Sequence, residues 1–210
     1  MQTPDAASEL FGTALASAEA YVAMLATRGV EWGLIGPRET ERLWERHVLN
    51  SLAVSRFVGD GASVADVGSG AGLPGIPLAL ARPDLWVTLI EPLERRASFL
   101  ALAIDELNLG ERVRVVRARA EEHKARYDVV TCRAVAPLEK LLKWTVPLFQ
   151  PGGRLVAHSV TADSDVVLLQ AYRDFGGELT RLSVENAEPL GRFTSFKPLR
   201  TVTSWAAIKG

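Results

Sequence analysis

DVGSGAGLPGIPLAL, Asp66 to Leu80, places four glycines and two prolines in fifteen residues of otherwise apolar chain, with Asp66 just ahead of the glycines. Gly68, Ser69, Gly70 and Gly72 shape a turn in which missing side chains let a ligand approach the backbone, or in which the glycines serve an ordinary tight turn. A dinucleotide fingerprint would put its third glycine where Leu73 stands. A diphosphate wants a helix N-terminus aimed at it, and Asp66 is a poor neighbour for phosphate but a good one for an ammonium group. Glu91, nineteen residues after Gly72 in LWVTLIEP, is placed to accept both ribose hydroxyls. Glu121, in RARAEE, can read an adenine edge together with the Ala120 backbone. For both glutamates the alternative is an acid at a helix N-terminus. Three successive loops thus carry what an adenosine-containing ligand needs.

Other residues border this set. In RLWERHVLNSL, helical spacing puts His47, Asn50 and Ser51 on one face beside Arg42 and Arg46. Arg46, His47, Asn50 and Ser51 are therefore candidates for positioning a cofactor or an acceptor, or for tying the N-terminal helices to the rest of the chain. Arg133 ends YDVVTCR inside the expected cleft, where it holds a ligand or pairs with Glu121 or Asp66. Cys132 alternates away from it as a small buried residue, and Trp144 reads as core. LGRFTSFKPLR interleaves Phe193 and Phe196 with Arg192, Lys197 and Arg200, a pattern suited to nucleic acid. Arg95, Arg96, Arg112, Arg114, Arg117 and Arg119 are further cations of the same kind. One histidine without partners makes metal binding by His47 improbable, and no metal is expected.

The elements that must position these residues follow from periodicity. Leu10, Ala14, Ala18, Tyr21, Val22 and Leu25 recur at helical steps, and Gly29 to Pro37 supplies breakers. A second helix is expected over residues 38–58. From Ser63 the pattern changes to SVADV, LWVTLI, RVRVV, YDVVTC and GGRLVAHSV separated by helical stretches, which predicts right-handed βαβ units and a parallel sheet. GELTRLSVENA and RTVTSWAAI follow with no helix between them and predict an antiparallel edge hairpin. Ligands of such α/β sheets bind beyond the carboxyl ends of the strands, where strand order reverses. The expected organisation is an N-terminal helical extension, 1–58, packed on an α/β domain, 59–210.

At 210 residues, 48% hydrophobic and 23% charged, the chain can bury a real core. A net charge of −1 excludes a global positive field and indiscriminate nucleic-acid binding. A single cysteine excludes an internal disulfide and any multi-cysteine zinc site. The N-terminus has acids where a signal peptide needs a basic start, and no apolar stretch is read as approaching a membrane span. A soluble cytoplasmic monomer is expected.

The G-x-G-x-G spacing with an acid ahead resembles the motif of S-adenosylmethionine-dependent methyltransferases, whose cofactor is a zwitterion bearing a sulfonium. More specific words also recur: GPRE (36–39), RLWERHVLNSL, DVGSGAGLPGIPLA, RAEE and CRAVAPLEKLLKW. In these the chain resembles the bacterial RsmG family, also called GidB, from about residue 10 onward. The resemblance implies a Rossmann-like class I methyltransferase fold and S-adenosyl-L-methionine as cofactor. It implies methylation of guanine N7 in the decoding-centre loop of 16S ribosomal RNA, guanine-527 in conventional numbering, within the small subunit or an assembly precursor. Carried over residue by residue, it implies cofactor contacts at Gly68, Leu73, Ala120, Glu121 and Arg133. The chain departs from the family at residues 158–160, where His158, Ser159 and Val160 replace the frequent L-K-G. The alternatives are a methyltransferase of the same fold acting on a small molecule or protein, and a nucleotide-binding module without catalysis.

Overall fold

The computed structural model describes residues 2–133, 138–159, 162–190 and 193–208. Seven strands form one sheet: β1 (Ser63–Val67), β2 (Trp86–Ile90), β3 (Val113–Val116), β4 (Tyr127–Arg133), β5 (Phe149–Ser159), β6 (Glu178–Leu190) and β7 (Phe193–Ile208). Their order is β3-β2-β1-β4-β5-β7-β6. The first five are parallel, and β7 runs antiparallel between β5 and β6. The predicted α/β class and edge hairpin are present. Pro198 lies beside a register shift at Val184/Glu185, the place where a strand tolerates a residue without an N–H.

Strand order reverses between β1 and β4, and that is where a cleft opens. Helices α1 (Asp5–Phe11), α2 (Leu15–Met24), α3 (Gly75–Ala81) and α4 (Glu94–Glu106) lie on one face, and α5 (Leu138–Thr145) and α6 (Ala162–Phe175) on the other. The first face shares a core in which Phe11, Tyr21, Leu25 and Trp44 meet Val64, Leu89, Val129 and Val156. The second core joins Ala65, Val130, Cys132, Leu155 and Trp205 to Leu141 and Leu168. Alternate residues of β1 and β4 feed the two cores, as a sheet covered on both faces requires.

Two expectations are corrected here. The helix expected over residues 38–58 is broken into a 3-10 stretch (Pro37–Arg42), a widened π stretch (Trp44–Leu49) and a second 3-10 stretch (Leu52–Phe57). Asn50 Nδ2 donates to Arg46 O (3.3 Å) and Ser51 Oγ to His47 O (2.6 Å), side-chain bonds that compete with the backbone ladder and bend it. Second, Asp5–Gly29 forms a helical run of 25 residues, long and apolar enough to cross a membrane. Its eight alanines make it apolar without making it bulky, so scattered polar residues disguise its length. Ala7, Phe11, Ala18, Tyr21 and Leu25 from this run are buried in the core.

Candidate active site

Asp66 is fully buried near the C-terminal end of β1, and its Oδ2 accepts the Gly75 N–H at 3.1 Å. A Cβ at Gly75 would stand 2.3 Å from Leu89 Cδ2 and 2.8 Å from Asp66 Oδ2, so only glycine lets α3 start this close to the strand. Pro77 falls in the first turn of α3, where a missing N–H costs nothing. Asp66 therefore serves the loop from beneath. Burial pushes its carboxyl up to about 7, and the Gly75 N–H and Arg133 draw it back.

Glu91 ties the first loop to the second. Buried at the end of β2, it accepts Gly70 N on Oε2 and Leu93 N on Oε1, each at 3.0 Å, with Arg96 Nη1 4.0 Å away. Ser69 Oγ donates to Asp66 O (2.8 Å), and the N–H groups of Gly72 and Leu73 both donate to Ser69 O. Tyr21 reaches over from α2 and donates its hydroxyl to Ala71 O at 2.8 Å. The turn is thus held from below, from the side and from above.

Beyond it lies a cleft of ≈ 370 Å³ whose wall includes Gly68, Ile90, Ala120, Glu121, Arg133 and Trp144. A second hollow, ≈ 540 Å³, shares Gly68, Pro92 and Arg119 and adds Glu91. Of the residues predicted to hold the cofactor, Gly68, Ala120, Glu121 and Arg133 line the first and Gly68 and Glu91 the second. Ser69, Gly70, Gly72 and Leu73 line neither; they build the turn behind it, with Leu73 in the core. Cys132 is buried in the cleft wall, and burial pushes its thiol up to about 12.

Between the N-terminal layer and the strand tips runs a ladder of polar side chains on one face of the sheet. Asp66 pairs in register with Thr131, Arg133 with His158, and His158 with Ser204. Among the described residues, Asp66 Oδ1, Thr131 Oγ1, Arg133 Nη1, both ring nitrogens of His158 and Ser204 Oγ are buried and lack a hydrogen-bond partner. His47 Nδ1 and Asn50 Oδ1, from the overlying layer, are in the same condition. Burial, reinforced by Arg133, brings His158 down to about 3, so this imidazole is neutral. Arg133 makes no ion pair with Asp66 or Glu121 among the described residues; the predicted pairing is corrected, because Asp66 Oδ2 is engaged by Gly75 and Glu121 is exposed on the turn Ala120–Glu122.

Among the predicted positioning residues, Asn50 and Ser51 are buried and bonded to their own helix. Arg46 Nη1 and His47 Nε2 converge on the two oxygens of Glu39, at 2.5 and 3.0 Å. Burial, with Arg133 next, lowers the His47 pKa against the pull of Glu39. Tyr21, expected only as part of a helical stripe, and Glu39, expected only within GPRE, were not among the candidate site residues. A tyrosine in an otherwise aliphatic stripe was the available signal, since a buried hydroxyl needs a partner. Arg192 lies outside the described residues. Lys197 and Arg200 fall in β7, opposite Asn186 and Val184 of β6. Among the described residues no group of three or more His, Cys, Asp or Glu could hold a metal ion.

Residues 14–170 match the family GidB, rRNA small subunit methyltransferase G. The chain belongs to this family. The ribosomal RNA small subunit methyltransferase G of Mycolicibacterium smegmatis is 58% identical over 159 residues, 73% of this chain and 67% of that protein. Its counterpart in Salinispora arenicola is 56% identical over 160 residues, 72% of this chain and 66% of that protein. Among solved structures, the C-terminal domain of precorrin-6Y C5,15-methyltransferase from Rhodobacter capsulatus superposes with a TM-score of 0.59 at 26% identity, covering 77% of this chain and 88% of that one. A SAM-dependent O-methyltransferase from Thermotoga maritima gives 0.62 at 17% identity, covering 81% and 69%, a likeness of fold.

GidB membership and the Rossmann-like class I fold bring S-adenosyl-L-methionine as cofactor. The cleft fits that group. Gly68, at φ +71, has nothing within 4 Å of where a Cβ would stand, so a side chain there would fill the cradle. Ile90, Ala120, Leu141 and Trp144 offer apolar walls, and Glu91 and Glu121 offer acceptors for hydroxyl and amino donors.

Proposed function

We propose that this chain transfers a methyl group from S-adenosyl-L-methionine to N7 of one guanine in the decoding-centre loop of 16S ribosomal RNA. The observation that carries the reading is the cleft at the β1/β4 switch point, lined by Gly68, Glu121 and Arg133, with Glu91 in the hollow that adjoins it. Family membership and the name shared by the GidB relatives support ribosomal RNA as substrate. The RsmG resemblance of the sequence words supports guanine N7.

When bound, the cofactor supplies an electrophilic methyl on a sulfonium. The task left to the chain is placement. Gly68 keeps the cradle open, Glu91 and Glu121 accept from ribose and adenine, and Arg133 holds a carboxylate or phosphate. Guanine N7 has a free lone pair and no proton to lose, so no general base is required. Positioning alone can supply about 7–11 kcal/mol of barrier reduction. The methylated base becomes cationic, so a guanidinium pressed on N7 would oppose the reaction; neutral His158 beside Arg133 does not. Ser69, Gly70, Gly72 and Leu73 act by holding the turn, and Arg46, His47, Asn50 and Ser51 by shaping its roof. Arg192, Lys197 and Arg200 contact RNA in this reading. The chain works as a cytoplasmic monomer, its helical layer (1–58) packed on the methyltransferase domain (59–210), on 16S rRNA in the small subunit or a precursor.

Incubation with tritiated-methyl cofactor and either naked 16S rRNA or small subunits, followed by chemical cleavage at 7-methylguanine, tests this. One labelled site with strand scission at a decoding-loop guanine is expected. Label at another base or atom, or none in RNA, overturns it.

A further inference from the structure

The crossover from β3 to β4 is short. Residues 117–126 contain a single turn, Ala120–Glu122, where the crossovers from β1 and β2 carry α3 and α4. Both of those helices pack on the face bearing Val87, Leu89 and Val113. On the opposite face Ile90 at the end of β2 joins the core of Leu141, but among the described residues no helical residue lines the hollow beside Trp86, Thr88 and Arg114, although parallel sheets are normally covered on both sides. Trp86 stands there with 58% of its surface exposed. A hollow of ≈ 350 Å³ is lined by Trp86, Arg112, Arg114 and Tyr127, with Glu111 at its rim.

The chemistry of this face is specific. Arg112 Nη1 is a buried donor without a partner, and Arg114 lies across Thr88, its Nε donating to Thr88 Oγ1 at 3.0 Å. Arg112, in the turn just ahead of β3, and Arg114, on β3, line the same hollow, roughly 7 Å apart along an extended chain. The chain carries a net −1, yet residues 112–126 hold six cations (Arg112, Arg114, Arg117, Arg119, Lys124 and Arg126) against Glu121 and Glu122. Arg117, paired with Glu94 at the start of α4 (3.2 Å), and Arg119 line the hollow beside the cofactor cleft. A solvated charged edge needs no exposed indole, and an apolar protein contact would not be ringed by arginines. A flat aromatic surface flanked by spaced cations suits an unpaired base with its phosphates.

We infer that the uncovered face of β2 and β3 is a second RNA-contact surface, on which the Trp86 indole stacks a base and Arg112 and Arg114 hold the flanking phosphates. The inference rests on RNA being the substrate. It places a stretch of that RNA along the β3 edge, leading toward the cleft.

Filter binding of the full chain to naked 16S rRNA over a series of KCl concentrations tests it, alongside methyl transfer and sedimentation. Trp86→Ala is expected to weaken binding by roughly 5- to 100-fold, and Trp86→Phe to restore most of it. The double variant R112Q/R114Q should lower the slope of log K against log[salt] by about 1.4, two single-strand phosphates. Each should raise KM for RNA and leave kcat and cofactor affinity as they were. If the wild type methylates RNA and these variants bind it with unchanged affinity and salt slope, this surface is wrong and the function stands. If the wild type sediments as a dimer that Trp86→Ala dissociates while RNA affinity holds, the face belongs to a second copy and the inference falls. If the wild type neither binds nor methylates RNA, the functional reading falls and this surface with it.

Discussion

On the β1–β2 side of the cleft, Glu91 gives both oxygens to backbone N–H groups and Asp66 gives one to Gly75, while Ser69 and Tyr21 close the remaining turns. On the β4–β5–β7 side, Thr131, His158 and Ser204 are as deeply placed and Arg133 is partly buried, and each leaves a buried polar atom without a partner among the described residues. A buried group left unpaired costs about 1–3 kcal/mol, whereas a satisfied one contributes roughly 1. The first side is a frame whose groups are paired among themselves except for Asp66 Oδ1. The second holds atoms poised for partners that a ligand or solvent supplies. Damage to the frame should therefore appear as lost stability, and damage to the ladder as lost binding.

The frame breaks most severely at Gly75. Gly75→Ala drives a methyl into Leu89 and Asp66, and thermal unfolding should show a loss of about 3 kcal/mol, a Tm drop on the order of 10 °C, with cofactor affinity lost as well. Arg133→Ala is the contrasting case. Removing a largely buried guanidinium that has no ion pair among the described residues should leave Tm unchanged or raised, while calorimetry shows cofactor affinity weakened by roughly 10- to 100-fold. A large Tm loss at Arg133 would erase the distinction between the two sides.

His158 sharpens the comparison through pH. Its folded pKa lies near 3, below the ordinary value of 6.5, so its contribution to stability is present above about 6.5 and is lost as pH falls toward 3. Asp66, raised to about 7, has the opposite sign: its contribution is full below the ordinary carboxylate pKa of 3.8 and is lost as pH rises through 7. In His158→Gln the acid-side loss disappears. Between pH 6.5 and 4 the variant should gain stability relative to wild type; parallel Tm-against-pH curves would show that His158 does not titrate in this window. Ser51→Ala should have the smallest effect. Its hydroxyl bonds only to its own helix, so about 1 kcal/mol is lost and turnover is unchanged; a collapse of kcat would make Ser51 part of the reacting site.

Much of this was legible beforehand, and for a stated reason. β1 is SVADV, as period and β-branching indicate, and the glycine turn follows it because Asp66, Gly68 and Gly75 are local chemistry read along a few residues. The edge hairpin was legible from two β-like runs with no helix between them. What escaped depends on contacts between distant segments. Tyr21 meets Ala71 fifty residues away, and Glu39 draws Arg46 and His47 together across an irregular helix. The bend at Asn50 and Ser51 was hidden because helical spacing alone does not reveal side chains bonding back to their own carbonyls. The missing helix over β2 and β3 was written in the short spacing between RVRVV and YDVVTC, but its meaning needed the face it leaves open.

What the cleft at the β1/β4 switch holds decides the function. Isothermal titration of the full chain with S-adenosyl-L-methionine, NAD and ATP in turn measures this directly. One site for S-adenosyl-L-methionine, weakened when Gly68→Val fills the cradle, and markedly poorer binding of the other two is the predicted result. Tighter binding of NAD or ATP, or a cofactor isotherm indifferent to Gly68→Val, would contradict it.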